Sequence, residues 1–420
     1  MRLAYITQYF PPEPSDISLQ IGLALSAMGE LKVLTSNPNY PTGELYFGYE
    51  ENTYMEETVC ELPVSRVPIF PSHDASALNR VRNYLSFAKN IYKHQRKILR
   101  NSDLVFVYGS PITATIPAYL AKKMYGTPYV VMVQDLWPDS IYATGFLPTT
   151  RGNLILRELI SFAVRRFYSN ASHLIAISAR MKKELLSRGY SESNVSLVYN
   201  WANSKGEKFD DTDLRNEISI RDDVCLIMYA GNMGPAQDLT NLLAAMAVLK
   251  DTAQIHLLLL GDGIERIKIE NFIRDRNLQN VTLKLPVSLD TADAYMKQSD
   301  ICIVSLRDDP LFELTFPSKV QRILSLGRPI LGILNGEVAD IITEMELGWT
   351  CAPGDPIKLA EVLEQISLAT KQDLATFGIN SEKYFEKNLS SYVNIDRLST
   401  VLSKVLDSQN KVGNDSKIGF

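Results

Sequence analysis

The 420-residue chain is poor in the residues that most often hold a zinc ion or a disulfide. Its four cysteines (Cys60, Cys225, Cys302, Cys351) lie far apart with no CxxC pair, and it has only four histidines. That scarcity argues against a disulfide framework and a clustered Cys/His metal site, and it fits a reducing cytoplasm. Long apolar runs are missing too: the longest, such as Ile255–Leu260, fall far short of the roughly 20 residues that span a bilayer. Met1-Arg2-Leu3-Ala4-Tyr5-Ile6 enters an apolar strand and meets the turn Pro11-Pro12 too soon for a secretory signal. The expectation is a soluble, cytoplasmic protein, at most peripheral on a membrane. No GxGxxG follows a predicted strand, which weighs against a nicotinamide-dependent oxidoreductase.

Hydrophobic residues at 45% and charged residues at 22% are ordinary globular values, and the length suggests two domains. The net charge of −5 hides a division. Residues 1–202 carry 20 basic and 16 acidic residues, and the remainder 23 basic and 32 acidic. The two halves therefore face different partners, and the overall acidity argues against nucleic acid.

Short apolar runs alternate with helical patterns throughout, as in doubly wound α/β sheets. Strands are expected at Leu3–Tyr9, Lys32–Thr35, Ser65–Ile69, Leu104–Tyr108, Tyr129–Val133, Leu174–Ser178 and Ser196–Tyr199. A polar stretch, Trp201–Arg221, reads as a linker, and the rhythm restarts at Cys225–Ala230. The domains are then 1–202 and 203–373, both Rossmann-like. Helices over 374–406 cross back to the first domain, and 407–420 form a disordered tail.

Ligands of such sheets sit at the carboxyl ends of strands, where four segments of the second half stand out. Gly231-Asn232-Met233-Gly234, leading to Gln237 at a helix start, is either a phosphate cradle or a plain tight turn. Gly261-Asp262-Gly263 is a second small-residue turn. Leu285-Pro286 offers backbone to a flat base, or is a plain strand end. Phe316-Pro317-Ser318-Lys319 opens a helix that closes at Gly327-Arg328-Pro329, with Ser318 as a plausible N-cap. A lysine in a first helical turn stands where an anion is preferred, which makes sense if a ligand brings one.

The order of these four segments resembles glycosyltransferase family 4, of GT-B fold. Pro11-Pro12, Asn39-Tyr40 and Gln134-Asp135-Leu136-Trp137-Pro138 resemble its bacterial O-antigen and capsule branch. The resemblance implies two Rossmann-like domains facing each other across a cleft. It implies a retaining, metal-independent transferase with no cofactor beyond its nucleotide-diphosphate sugar, UDP being favoured over GDP. Lys319, with Asp135, Gln134 and Glu313, would be catalytic. The donor would meet Gly231, Asn232, Gly234, Gln237, Gly261, Asp262, Gly263, Leu285, Pro286, Phe316, Pro317, Ser318, Lys319 and Arg322. A lipid-linked glycan acceptor would meet Pro11, Pro12, Asn39, Tyr40, Gly109 and Trp137. Three departures accompany the match. Gln134 stands where the family has histidine. The two glutamates of an E-x7-E pair fall on Leu314 and Arg322, and a guanidinium accepts no hydrogen bond, so Arg322 is expected on the diphosphate. Asn232 and Gln237 stand where the family often has an arginine and a lysine as phosphate ligands, which shifts that load to Lys319. Asp211-Thr212-Asp213 has the DxD form but lies in the linker and is read as chance. A nucleotide-sugar 2-epimerase of the same fold and a turnover-deficient sugar-nucleotide binder are the alternatives.

One further segment carries its own signal. Arg82, Lys89, Lys93, Arg96 and Arg100 recur on one face of a predicted helix, with Val81, Tyr84, Leu85, Ala88, Ile91, Ile98 and Leu99 assigned to the other. No acid falls between Asp74 and Asp103. Such a helix meets anionic lipid, at about 1 kcal/mol per close cation, and Arg157, Arg165 and Arg166 extend the surface.

Overall fold

The computed structural model describes residues 1–72, 76–140, 151–202, 213–251 and 254–415. The chain forms two compact units, one of residues Met1–Tyr199 with those from Ile395 onward, the other Asn200–Asn394. In the first unit the order is β1 (Arg2–Ile6), α1 (Asp16–Ser26), β2 (Glu30–Ser36), β3 (Met55–Val59), β4 (Leu62–Val67) and α2 (Ala77–Asn101). There follow β5 (Leu104–Tyr108), α3 (Thr115–Tyr125), β6 (Tyr129–Val133), α4 (Arg151–Asn170), β7 (His173–Ala176), α5 (Ala179–Ser187) and β8 (Val195–Leu197). The second unit opens with α6 (Leu214–Glu217), β9 (Cys225–Ala230), α7 (Leu239–Val248), β10 (Ile255–Leu260), α8 (Arg266–Asp275) and β11 (Val281–Lys284). It continues through α9 (Leu289–Gln298), β12 (Ile301–Ser305), α10 (Ser318–Ser325), β13 (Ile330–Ile333), α11 (Glu337–Glu344) and β14 (Gly348–Cys351). Helices α12 (Pro356–Ser367), α13 (Lys371–Asn388) and α14 (Ser391–Asp415) end the described chain.

Each unit is a sheet with helices on both faces. Among the described residues the first sheet runs β3-β4-β2-β1-β5-β6-β7-β8 and the second β11-β10-β9-β12-β13-β14. Pairing is parallel apart from β3 against β4. Strands such as β6, Tyr-Val-Val-Met-Val, are buried at every position, because helices exclude water from both sides. In both sheets the winding reverses at the first strand, β1 between β2 and β5, and β9 between β10 and β12. Loops separate at such a reversal and leave a crevice at the strand carboxyl ends. That topology places a candidate site in each unit.

The structure corrects several expectations. β3, Met-Glu-Glu-Thr-Val, was not expected; its alternating exposure marks an edge strand, with Glu56 and Thr58 turned outward and Glu57 paired inward with Arg66. The 374–406 region does not return to the first unit as a whole. Helix α13 stays with the second, where Trp349 meets Phe377 edge-on at 4.8 Å and Gly378 lets its backbone approach Gly327. Only residues from Ile395 join the first unit, with Leu398 and Leu402 buried and Lys404 donating to the Ser193 carbonyl at 3.1 Å. Helix α14 runs to Asp415, through much of the tail expected to be disordered. Residues 203–212 of the linker, with Asp211 and Thr212 of the DxD pattern, lie outside the described residues. Asp213 caps α6 by accepting from the Asn216 amide.

Candidate active site

In the second unit the loops after β9, β10 and β11 are laced together at the strand ends. Gly231 donates to the Leu260 carbonyl at 2.9 Å, Met233 to Asp262 at 2.8 Å and Gly261 to Lys284 at 3.2 Å. Gly261 has a φ of 147°, and a Cβ there would collide with the carbonyl oxygen of Gly231. Only glycine fits so close an approach in that backbone region. The loop is braced from within: Gln237 Oε1 accepts from the Gly234 amide at 3.1 Å and from Asn232 Nδ2 at 3.2 Å. Asn232 and Gln237 thus hold the loop's shape. Asp262 folds its carboxylate onto the Gly263 amide at 2.8 Å, and Leu285 stands exposed past the end of β11.

Helix α10 opens onto this loop. Its N-cap is Pro317, with no side-chain cap hydrogen bond, and Ser318 is its first residue. The expected serine cap is therefore absent, and the first-turn amides keep no side-chain acceptor. Glu313 lies in the short turn Phe312–Leu314 ahead of the helix, and Phe316 is buried beneath it. Lys319 reaches back toward β9. Its Nζ sits 3.8 Å from the centre of the Tyr229 ring, and a Cβ on Gly231 would lie 2.9 Å from it. Lys319 as a residue is half-buried, but its Nζ is shut off from solvent and has no hydrogen-bond partner among the described residues. Burial pushes its pKa down to about 7, because a cation loses hydration there that the ring quadrupole only partly replaces.

Arg322, one turn along the same helix, is engaged elsewhere. Its Nε donates to Asp293 Oδ1 at 2.7 Å, and Nη2 pairs with the other carboxylate oxygen. Asp293 of α9 is 4% exposed. The guanidinium fork that sequence reasoning assigned to a diphosphate neutralises a buried acid of the protein itself. Removing it strands that charge. Arg322→Met is expected to cost about 2–4 kcal/mol, with part regained in Arg322→Met/Asp293→Leu; urea denaturation of the two single variants and the double measures this.

In the first unit, loops after β1, β2, β5 and β6 converge. Glu13, buried to 2% exposure, receives the Phe10, Asn39 and Tyr40 amides at 2.8–3.0 Å. Burial raises its pKa, and those amides and Arg66 draw it partly back. Arg66 has its side chain fully buried and binds Glu57 and the carbonyls of Ser36 and Pro11. Asn39 is buried and receives Asn83 Nδ2 at 3.3 Å, and Gly109 is a buried strand end bonded to Met132. These residues build the walls. Tyr9 and Tyr40 pack at 5.1 Å between ring centres, and Tyr84 of α2 hydrogen-bonds Tyr9. Pro11, Tyr40 and Trp137 are half-buried and Pro12 is exposed.

Gln134 and Asp135 follow β6 into this cup. Burial raises the Asp135 pKa, and a Ser110 hydrogen bond only partly offsets it. Its charge is felt by Tyr84, Tyr108 and Tyr168. Glu13, Tyr229 and Asp293 were not singled out from sequence as site residues, and Tyr84 was read only as part of the apolar face of α2. Nothing in the local pattern marks Glu13 or Asp293 as buried, although a tyrosine strand residue two positions before a glycine loop was legible as a neighbour of Lys319.

The outer faces of two helices are also distinctive. Arg82, Lys89, Lys93, Arg96 and Arg100 of α2 are all exposed, as expected. Val81 and Leu85, expected on the inner face, are 40% and 48% exposed; Ala88, Ile91 and Leu99 alone among the inner set are fully buried. On α4, Ile155, Leu159 and Phe162 are 72%, 60% and 63% exposed. Spaced by four and three, they share one helical face. Among the described residues no helix is long and apolar enough to cross a membrane.

Comparison with known proteins matches residues 20–201 to a glycosyl transferase 4-like domain and residues 210–383 to the glycosyl transferases group 1 domain. The chain is 24% identical over 320 residues to the probable glycosyltransferase WbjE of Pseudomonas aeruginosa, covering 74% of this chain and 77% of that one. It is 26% identical over 309 residues to the putative colanic acid biosynthesis glycosyl transferase WcaI of Escherichia coli K12, covering 72% and 75%. Among solved structures, Anabaena HepE in complex with UDP-glucose superposes with a TM-score of 0.70 at 14% identity, over 96% of this chain and all of the other.

Proposed function

We propose that this chain, which belongs to the glycosyltransferases of GT-B fold by its 4-like and group 1 domains, moves a sugar from a UDP-sugar to a lipid-linked glycan in bacterial surface-polysaccharide synthesis. The observation that carries the reading is the Lys319 ammonium, buried with no hydrogen-bond partner among the described residues, beside a glycine loop and an uncapped helix start. A buried cation without an anion is costly, and a diphosphate supplies the missing charge. In this reading the α10 amides and Lys319 stabilise the departing diphosphate without a bound metal. The exposed Leu285-Pro286 backbone receives the base. The sugar is transferred with retention by front-face substitution, in which the leaving phosphate oxygen takes the acceptor proton. In the first unit Asp135 orients the acceptor hydroxyl, with Gln134 as a neutral hydrogen-bonding neighbour and the tyrosine cup holding the ring. The complex of HepE with UDP-glucose and the putative colanic acid biosynthesis role of WcaI support the donor class and the setting.

A UDP/GDP panel tests the donor. UDP is expected to raise the melting temperature, since a ligand of the native state must, and UDP-sugars should release UDP with lipid-linked acceptor in EDTA. A shift with GDP alone would overturn the nucleotide, and release only with added divalent metal would overturn the metal-free step.

The acceptor's lipid places the enzyme on an anionic leaflet. Cations of α2 meet headgroups, while Leu85 of α2 and Leu159 and Phe162 of α4 dip below them. Sedimentation with vesicles should rise with anionic lipid content. Leu159→Ser/Phe162→Ser should weaken it at least fivefold at constant net charge, and equal binding would remove α4 from the surface.

A further inference from the structure

Behind the loop that carries Asp135 lies a second concavity of about 310 Å³ in the first unit, between that loop, α4 and the segment after α5. Trp137, Tyr168 and Tyr190 give it aromatic walls, and Arg157, Arg165 and Arg188 border it. Tyr168 and Tyr190 meet edge-on at 5.9 Å, and the charges of Arg188 and Arg165 both reach the Tyr190 hydroxyl. Arg188 is fixed by three acceptors: Asp139 at 2.7 Å, Glu184 at 2.8 Å and the Trp137 carbonyl at 3.3 Å. Trp137 Nε1 and the Tyr168 hydroxyl have no hydrogen-bond partner among the described residues.

The charge pattern decides the ligand class. Two of the guanidiniums have a carboxylate beside them, Arg188 with Asp139 and Arg165 with Glu158 at 4.0 Å. A phosphate site wants uncompensated cations. Here donors and acceptors alternate around aromatic faces. Sugar hydroxyls are donors and acceptors at once, and the C–H face of a pyranose is an apolar plate that packs on an aromatic ring. With its fork held by Asp139, Glu184 and the Trp137 carbonyl, Arg188 fixes the loop wall of the cavity in place, and a preformed wall binds hydroxyls with little entropy loss.

We propose that this cavity is a carbohydrate subsite that holds sugar residues of the acceptor glycan other than the one that reacts. It rests on the glycosyltransferase reading and deepens it: the acceptor is an oligosaccharide chain. Trp137 joins the two regions, because Trp137 N donates to the Asp135 carbonyl at 3.1 Å. A sugar in the cavity therefore steadies the loop that presents Asp135.

Saturation-transfer NMR on the full chain, with saturating UDP, tests this. The probes are free mono-, di- and tetrasaccharides of glucose, galactose, N-acetylglucosamine and rhamnose, with inorganic diphosphate as a control. At least one di- or tetrasaccharide is expected to bind, at least tenfold more weakly in Arg157→Ala and Tyr190→Ala, with the UDP melting shift unchanged in both. Arg157 is exposed, so its variant keeps the test open if Tyr190→Ala fails to fold. The proposal is overturned if no oligosaccharide binds, if the variants bind equally, or if diphosphate displaces the sugar. Failure of the donor reading is separate: UDP would then give no shift even where sugars bind.

Discussion

Lys319→Ala is expected to lower kcat about 10²–10³-fold, the loss seen when one preorganised donor to a developing anion is removed. The position is demanding because Nζ has the Tyr229 ring on one side and the Gly231 backbone on another. The same burial gives a pH signature with a definite sign. The unfolded lysine has its ordinary pKa of 10.5 and the folded one about 7. Folding therefore carries the full cost of burying the cation below pH 7; that cost shrinks as pH rises toward 10.5. Unliganded Lys319→Met should accordingly be more stable than the parent at pH 6, with the gain narrowing by pH 9. A diphosphate favours the charged form, so UDP affinity should fall as pH rises above about 7, with proton uptake on binding. Calorimetry in buffers of different ionisation enthalpy reads that uptake directly. A flat affinity between pH 7 and 9 would remove Lys319 from the diphosphate.

The second large effect is at Asp135. Asp135→Asn should lower kcat about 10²-fold or more while leaving UDP affinity unchanged, since the nucleotide is assigned to the other unit. Burial holds the carboxyl above the usual aspartate range, so the acidic limb of the parent's kcat profile should lie above that range and vanish in the variant. Asparagine keeps the size and a hydrogen bond to Ser110. Near-normal turnover would therefore make Asp135 a turn residue with no part in orienting the acceptor hydroxyl.

Much of this was legible in the primary structure because it depends on local rules. Apolar runs such as Leu104–Tyr108 and Tyr129–Val133 match strands β5 and β6 to the residue, since strands covered on both faces must be apolar throughout. Pro317-Ser318-Lys319 marked a helix start with a cation in the wrong turn, and Gly231 and Gly261 marked loops that admit a close neighbour. Residues whose role depends on a distant partner could not be read. Arg322 looked like a phosphate ligand until Asp293, 29 positions away, took its fork. Val81 and Leu85 looked inward because helical spacing fixes which residues share a face but not which part of that face a neighbour covers.

Composition and periodicity by themselves determined a two-unit α/β chain with glycine-rich loops at the strand ends of the second unit, and the resemblance to glycosyltransferase family 4 gave those loops their donor reading. The tertiary structure decided the electrostatics. It left Lys319 Nζ buried with no hydrogen-bond partner among the described residues, gave Arg322 an acid, buried Glu13 under three amides, and turned the apolar edge of α4 to solvent. Burial and partnership are properties of the assembled fold, where desolvation sets the cost of each charge; a sequence specifies the residue but not the dielectric around it.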